Sequence, residues 1–500
     1  MIENVENMIF DGTDLANAFT NQEEGTYFII NNVYGRGVQS VENTLTHVAG
    51  MDGSYPSSSR LASRRMTVDI TMKGTSFNDL RKRIEGLNEI LFTRNIDVPI
   101  VFNDEPDRVY YGRIDEVTDT IESSHIYQAQ LTIICSDPFK YGEEKKLTFS
   151  SDIVSFTNQG TAEADPIFEM EVLKPTTFAM VQNQEEQYQM IGIPAEDDVQ
   201  IGDAKQLILR EEGDGINQWE YNPTRIDPIS GRIAHDGTMA YDGTGIIVDN
   251  YGTAPTDSNG YGPAIIRELP EAVQDFELTS VIDTRTDLKE ENFRVEIYAF
   301  DEGLNMLGKI GIRDRFQAFH NRSGLARVGE YEDSRTRYLI SASNYDYDNF
   351  GKSSMFFLRW KRVNNTFEFY LAQVVNGRHQ DTITRTFTDS ERVWSGRLKY
   401  VQIYIRTWKN RRNPYLARVN NITVNKLFQE TVDQTLYIAY PGDIITFDHS
   451  SADLLINGEP RLDLRNFGSD NFKLTPGHNE LIVLPSGSFN TAVSYRQRYR

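Results

Sequence analysis

Hydrophobic and polar positions alternate with period two along most of this chain, and the places where the pattern stops and resumes divide it. From Met66 to Lys73, Met66, Val68, Ile70 and Met72 face one way and Thr67, Asp69, Thr71 and Lys73 the other, which predicts a half-buried strand. Tyr127, Ala129, Leu131, Ile133 and Cys135 repeat the pattern. Segments at Val98–Phe102 and near residues 110–117 complete a predicted barrel or sandwich. One stretch has helical period instead. Phe77, Leu80, Ile84, Leu87 and Leu91 recur at spacings of 3, 4, 3 and 4 and make a single apolar stripe, with Ser76 and Asp79 placed to cap it. Arg81, Lys82, Arg83 and Glu85 form its expected solvated face. Residues 1–140 are therefore expected to be one β-rich unit with one helix.

A second alternating region begins after Gly142. Phe168, Met170 and Val172 oppose Ile167, Glu169 and Glu171. The pattern fades after Gly202 and returns near Thr431, where Asn457-Gly458 is a strong hairpin signal and Pro476-Gly477 another turn. Each piece is too short to fold alone, so residues 141–202 and 429–500 are expected to pair as one split unit. Residues 203–428 then form a guest between them.

The guest also reads as all-β. Phe293, Val295, Ile297 and Ala299 alternate with Arg294, Glu296, Tyr298 and Phe300, and Asp301–Asn305 is the turn before the next strand. Segments 355–360 and 366–371 pair about Asn364-Asn365, and segments 400–406 and 416–424 are expected to form a final pair. This spacing predicts a two-sheet sandwich or jelly roll. The guest holds all four tryptophans. Trp219, Trp360 and Trp394 are assigned to the core. Trp408, in the polar stretch RTWKNRRNPY, and Tyr345, Tyr347 and Phe350, with Asn344 and Asp346 in SNYDYDNFG, are candidates for stacking on sugar rings and bonding their hydroxyls. Core packing is the competing reading for Trp408.

Two loops stand out. Residues 50–65, GMDGSYPSSSRLASRR, break the strand pattern with Gly, Ser and Pro. Ser54, Tyr55, Pro56, Ser57, Ser58, Ser59 and Arg60 are either an arm onto a neighbouring subunit or a flexible loop. The Asp-Gly-rich run 235–262 offers Asp236, Asp242, Asp249 and Asp257 as weak calcium candidates, but the spacing fits no EF-hand and a plain long loop is the preferred reading.

Composition narrows the function. The formal net charge is -22, which argues against a phosphate-binding surface and so against sequence-specific nucleic-acid recognition. No apolar run approaches the roughly 18 residues of a membrane span. The acidic N-terminus lacks a secretory pattern. The single cysteine, Cys135, has no intrachain partner. There is no HExxH, GxSxG or phosphate-loop motif, no Cys/His cluster, and no cofactor is expected. Acidic pairs such as Glu290/Glu291 and Asp346/Asp348 are too common in so acidic a chain to mark a catalytic dyad. An enzymatic role is not expected. Arg496, Arg498 and Arg500 alternate along the last strand, as contacts to an acidic neighbour or as a fraying end.

Several segments carry a family resemblance. GMDG, RLASRRMTVDITMKG, LRKRIEGLNEIL, VPIVFNDEPDRVYYGRID and LTIICSDPFKYGEE, in that order, resemble the N-terminal domain of siphophage distal tail proteins over roughly residues 5–145. FTNQGTAEADPIFEMEV, LTPGHNELIVLPSG and TAVSYRQRYR resemble that family's galectin-like C-terminal domain. FRVEIYAFDEGLNMLGKIGIRD, FFLRWKRVNNTFEFYLAQ and NNITVNKL look like the carbohydrate-binding modules inserted in "evolved" members. The resemblance implies a mainly β chain: a tail-tube-like barrel or sandwich with one helix, then a galectin-like sandwich interrupted by a jelly-roll-like one. It further implies a homo-hexameric ring at the virion tail tip, assembled in the host cytoplasm, with the 50–65 segment as a belt. The implied partners are the tail tube protein, the tail-associated lysin or tip protein, and host cell-wall polysaccharide. A glycan hydrolase or a protein adaptor in the inserted domain is the alternative.

Overall fold

The alternating segments of the N-terminal unit pair into one seven-stranded antiparallel sheet. In the computed structural model, which describes residues 6–92, 96–123, 125–195, 200–221, 236–254, 256, 260–314, 322–331, 333–342, 353–428 and 434–500, its order is Thr13–Asp14, Met8–Phe10, Val98–Phe102, Tyr110–Glu122, Ile126–Cys135, Arg64–Lys73 and Tyr27–Tyr34. The inward set Met66, Val68, Ile70 and Met72 is fully buried with Leu131, Ile133 and Cys135. Helix Phe77–Phe92 covers this core with Leu80, Leu87 and Leu91, while Phe77 at its start is 53% exposed and leaves the expected stripe. Ser76 Oγ accepts from Asp79 N and Asp79 Oδ2 accepts from Thr75 N, a reciprocal N-terminal cap. Arg83 is not on a wet face. It bonds Asp79 and donates to the Phe19 carbonyl, so it ties the helix to a second, five-residue helix, Leu15–Phe19, that periodicity did not reveal. A helix so short has too few turns to show a period.

Segment 50–65 also differs from expectation. Tyr55–Leu61 is a strand, paired antiparallel with Val41–Thr46 in a two-stranded ribbon. It lacks an alternating pattern because both of its faces are in water.

The second unit is a galectin-like sandwich assembled across the gap in sequence. Its six-stranded sheet runs Lys140–Phe149, Phe489–Tyr499, Ile167–Val172, Ile444–Asp448, Asp453–Ile456 and Glu459–Pro460; its four-stranded sheet runs Ile153–Asn158, Gly477–Leu484, Phe178–Asn183 and Tyr188–Gly192. Phe168, Met170 and Ile191 from the first piece share one core with Phe447, Leu454 and Val493 from the second. The turn at Asn457-Gly458 has φ +52° and +80°, as a two-residue hairpin requires. His449 is buried against the rings of Phe168 and Phe472, and its Nδ1 accepts from Phe472 N at 3.0 Å. The last strand does not fray. Arg496 stacks on Tyr111 and Tyr141 and donates to Tyr111 Oη and the Gly142 carbonyl, and Arg498 bonds Asp165 and Asp137, so both arginines bolt the split unit to the N-terminal one. Arg500 N donates to Thr161 Oγ1.

The chain leaves and re-enters this sandwich side by side. Gln200–Gly202 and Gln434–Leu436 pair in parallel, Tyr437 N donates to Gly202 O, and Phe428 N donates to Ala204 O. Between these stems lies a jelly-roll-like sandwich. One sheet is ordered Thr238–Tyr241, Ile246–Asn250, Leu416–Leu427, Phe276–Arg285, Ser353–Val363, Thr366–Val375 and Arg378–Thr388, with Lys205–Glu211 also on Leu416–Leu427. The other is ordered Glu220–Tyr221, Ala264–Val273, Leu398–Trp408, Phe293–Asp301, Met306–Asp314, Arg322–Val328 and Arg337–Ala342, with Gly260–Tyr261 also on Leu398–Trp408. Leu398–Trp408 and Leu416–Leu427 therefore lie in opposite sheets and do not form the expected pair. Val401, Ile403 and Ile405 face Val419, Ile422 and Val424 through one core, together with the buried Trp219, Trp360 and Trp394.

The outer face of the first sheet docks on the split sandwich. Arg359 grips both oxygens of Glu459 at 2.6 and 2.5 Å, Arg378 bonds Asp448 and Asp453, and His379 N donates to the Gly458 carbonyl. The outer face of the second sheet consequently lies on the far side of the guest.

Burial holds the His449 imidazole down at about 4 from its ordinary 6.5, with Asp448 offsetting only part of the effect. The unfolded chain therefore binds a proton that the fold refuses between these values. Stability of the split sandwich should fall, by on the order of 2–3 kcal/mol, as pH drops from 6.5 to about 4. Urea denaturation across that range checks this, and His449→Gln, which keeps an acceptor for Phe472 N–H, should flatten the dependence.

Candidate functional sites: an exposed arm and a buried charge cluster

The ribbon Val41–Thr46/Tyr55–Leu61 carries the predicted belt residues Ser54 to Arg60. Every residue of its first strand is exposed. Arg60 pairs with Glu42, and the side chains of Thr46 and Ser57 touch. Val41, Leu45, Val48, Met51 and Tyr55 are 37–59% exposed. A lone two-stranded ribbon is marginal in water, and among the described residues nothing covers these five large apolar side chains.

The four tryptophans separate by burial. Trp219, Trp360 and Trp394 are 0–8% exposed, as assigned, whereas Trp408 is half-buried. Trp408 is not in a turn. It ends the strand Leu398–Trp408, opposite Gly260, and shares a face with Gln402, Tyr404 and Arg406 on the outer side of the second sheet. Asn344, Tyr345, Asp346, Tyr347 and Phe350 lie outside the described residues.

The calcium candidates are not brought together. Asp236 accepts from Gly237 N and Thr253 N, Asp249 accepts from Thr238 Oγ1, and Asp242 accepts from Thr244 N and Gly245 N and pairs with Arg418. Burial raises the Asp242 carboxyl, but Arg418 and these turn N–H groups outweigh it and hold it below the usual range. Asp257 lies outside the described residues. No group of three or more metal-binding side chains occurs among the described residues. Asp236 and Asp242 organise turns, and Asp249 makes a cross-strand bond.

Sequence reading missed the outer face of the second sheet. Its strand Phe293–Asp301 alternates as read, but both of its faces are covered: Glu296, Tyr298 and Phe300 are 0–1% exposed. Glu296 is met by Arg294 Nε at 2.9 Å, Arg406 Nη2 at 2.9 Å, Lys309 Nζ, and the Tyr298 hydroxyl at 2.8 Å. Cross-strand register makes this possible: Glu296 lies opposite Tyr404 and Gly311, so Arg406 and Lys309 sit on the diagonals. Gly311 leaves room there, since a Cβ would come within 2.3 Å of the Val295 carbonyl. Burial pushes the Glu296 carboxyl up, but Arg294, Arg406 and Lys309 win and keep it ionised well below the carboxylate range. The spacing of Arg294, Glu296, Lys309 and Arg406 is the signal that was available. Alternation alone does not say what those charges meet.

Known proteins resemble both ends of the chain. Residues 22–135 match the family described as phage tail protein RIFT-related domain, and residues 418–499 match the siphovirus-type tail component, C-terminal domain. The fold and these matches define a siphovirus tail component. The distal tail protein of Bacillus phage SPP1 is 36% identical over 167 residues, covering 33% of this chain and 62% of the relative's length. The crystal structure of SPP1 Dit, described as a paradigm of hub adsorption apparatus in phages infecting Gram-positive bacteria, is 31% identical over 38% of this chain and 75% of that one, with a TM-score of 0.34. The chain belongs to the distal tail protein family. The CBM2 module of the evolved Dit of Lactobacillus casei BL23 phage J-1 covers 46% of this chain and 98% of its own, at 10% identity and a TM-score of 0.39.

Removing the carboxylate at the cluster's centre strands three buried cations. Glu296→Gln should cost about 3–5 kcal/mol of guest stability in denaturant titration. The folded pKa is depressed, so the contribution of Glu296 is present above 4.5 and lost only as pH falls through its lower folded value.

Proposed function

We propose that this protein is the structural hub of a phage tail tip. Residues 1–140 of six copies close a ring at the end of the tail tube, and residues 141–202 with 429–500 decorate it. The guest, 203–428, presents a surface to host cell-wall polysaccharide. The protein resides at the virion tail tip, is assembled in the host cytoplasm, and contacts the tail tube protein on one side and the tail-associated lysin or tip protein on the other.

The exposed ribbon carries this reading. Five apolar side chains on a ribbon that no other described residue covers need a receiving surface, and a neighbouring copy in a ring supplies one. Family membership supports the same assembly. Six copies bring roughly -130 of formal charge, six times -22, which keeps DNA from adhering to a channel lined by acidic groups.

Deleting Ser54–Ser59, or replacing Leu45 and Tyr55 by Glu, should leave each subunit folded, because neither belongs to a core. It should weaken ring assembly at least tenfold, about 1.4 kcal/mol. Mass photometry at micromolar concentration reads hexamer against monomer. A parent that stays monomeric refutes the ring, and variants that assemble like the parent refute the arm.

A further inference from the structure

Three connections meet at one end of the guest sandwich. They are the turn at 274–275, the two-residue turn Asn364-Asn365, and the 389–397 segment that crosses between the sheets. They enclose a recess of about 320 Å³ lined, among the described residues, by Gln274, Asn364, Asn365, Asp389, Arg392 and Trp394. That is the lower end of the range for small-ligand pockets, enough for one sugar ring but not for a long chain.

The recess is built. Arg362, 1% exposed, donates through Nε to the Gln274 carbonyl at 2.7 Å and through Nη1 to the carbonyls of Gly396 at 2.7 Å and Trp394 at 3.3 Å. One buried guanidinium thus fixes two of the three walls. The third is tied in by Asn365 Nδ2, which donates to the Asp389 carbonyl, and by Asp389 N, which donates back to the Asn365 carbonyl. Arg392 is held at φ +55°, a conformation uncommon for a long side chain, and Asn364 takes the same φ as its two-residue turn requires. Trp394 rests its indole edge where a side chain at Gly329 would stand, and meets Phe387 edge-on at 6.0 Å.

Against this fixed frame, the polar groups of the walls are underused. The Gln274 amide and the Arg392 guanidinium make no hydrogen bond or ion pair with described residues. Asp389 gives one carboxylate oxygen to Trp394 N at 2.8 Å and keeps the other. An amide, a carboxylate and a guanidinium beside an indole are the groups that bond vicinal hydroxyls while an apolar wall meets C–H groups. One acid and one base leave the lining without net charge.

We propose that this recess is a saccharide subsite for one neutral pyranose residue, held by Gln274, Asp389 and Arg392 against Trp394. The proposal rests on the saccharide-binding reading of the guest and gives it a location other than Trp408. Trp394 is then both core and binding wall.

The test uses the full-length protein and saturation-transfer NMR with free D-glucose, D-galactose, N-acetyl-D-glucosamine and L-rhamnose as probes, alongside sedimentation with host cell walls. The variants are Gln274→Ala and Arg392→Gly, the latter keeping the positive φ accessible, with Trp408→Ala for comparison and circular dichroism to confirm folding. The expected result is a signal from at least one pyranose that falls tenfold or more in both recess variants and persists in Trp408→Ala. Binding that survives both recess variants overturns the subsite, and its loss only in Trp408→Ala moves the sugar to the second sheet. A parent that sediments with walls but binds none of the four sugars overturns the pyranose subsite while leaving the saccharide reading intact. A parent that binds neither overturns both.

Discussion

The parallel pairing of Gln200–Gly202 with Gln434–Leu436 is the constraint from which the rest of the architecture follows. A sandwich whose core mixes Phe168 and Ile191 with Phe447 and Val493 closes only if two pieces of chain, separated by more than two hundred residues, return to one place. Closing so long a loop costs entropy, but the cost grows only slowly with length and vanishes into the guest's own folding once its ends are held together. Lys205–Glu211 pairing with Leu416–Leu427 does that from within the guest. The two ends of the insertion are thus neighbours twice over, once in each domain.

This closure gives the guest an orientation as well as a place. With the stems fixed, the outer face of the first sheet falls on the Asn457-Gly458 hairpin, and Arg359, Arg378 and His379 engage it. A largely buried arginine that gives Nη1 to both oxygens of Glu459 and Nη2 to Glu368 is geometrically demanding in a way that a lone surface ion pair is not. The face that carries Glu296 and Trp408, and the loop end that carries the recess, remain away from this joint. A module docked by one face presents its other surfaces in a defined direction relative to the rest of the chain.

Charge in this chain does two jobs, and burial separates them. Over most of the surface, acidic residues cap turns or form exposed pairs that contribute little to stability. Around Glu296, and at Arg362, charge is removed from water and becomes a fixed structural element: one carboxylate holding three cations on a sheet face, one guanidinium holding three carbonyls behind a recess. Such groups are costly to bury and costlier to orphan, so they pin register rather than add net stability.

Local pattern by itself determined the strands at 66–73, 127–135 and 293–300 through period-two alternation, the long helix through its 3-and-4 spacing, the hairpins through their turn residues, and the interruption of the second unit, because each depends on neighbours in sequence and on which side faces a core. The order of short motifs determined the family. What sequence did not determine were partnerships across space. Leu398–Trp408 and Leu416–Leu427 are consecutive and both alternate, yet the connection between them crosses the sandwich, which no local pattern reports. Glu296 follows the alternation and is nonetheless buried, because period assigns a side to a residue and not the contents of that side. The ribbon Val41–Thr46/Tyr55–Leu61 showed no alternation because both of its faces are exposed. Gln274, Asn364, Asp389 and Trp394 are scattered over more than a hundred residues, and only the tertiary fold brings these turns to one end, since a pocket is a relation among loops that the chain visits at different times.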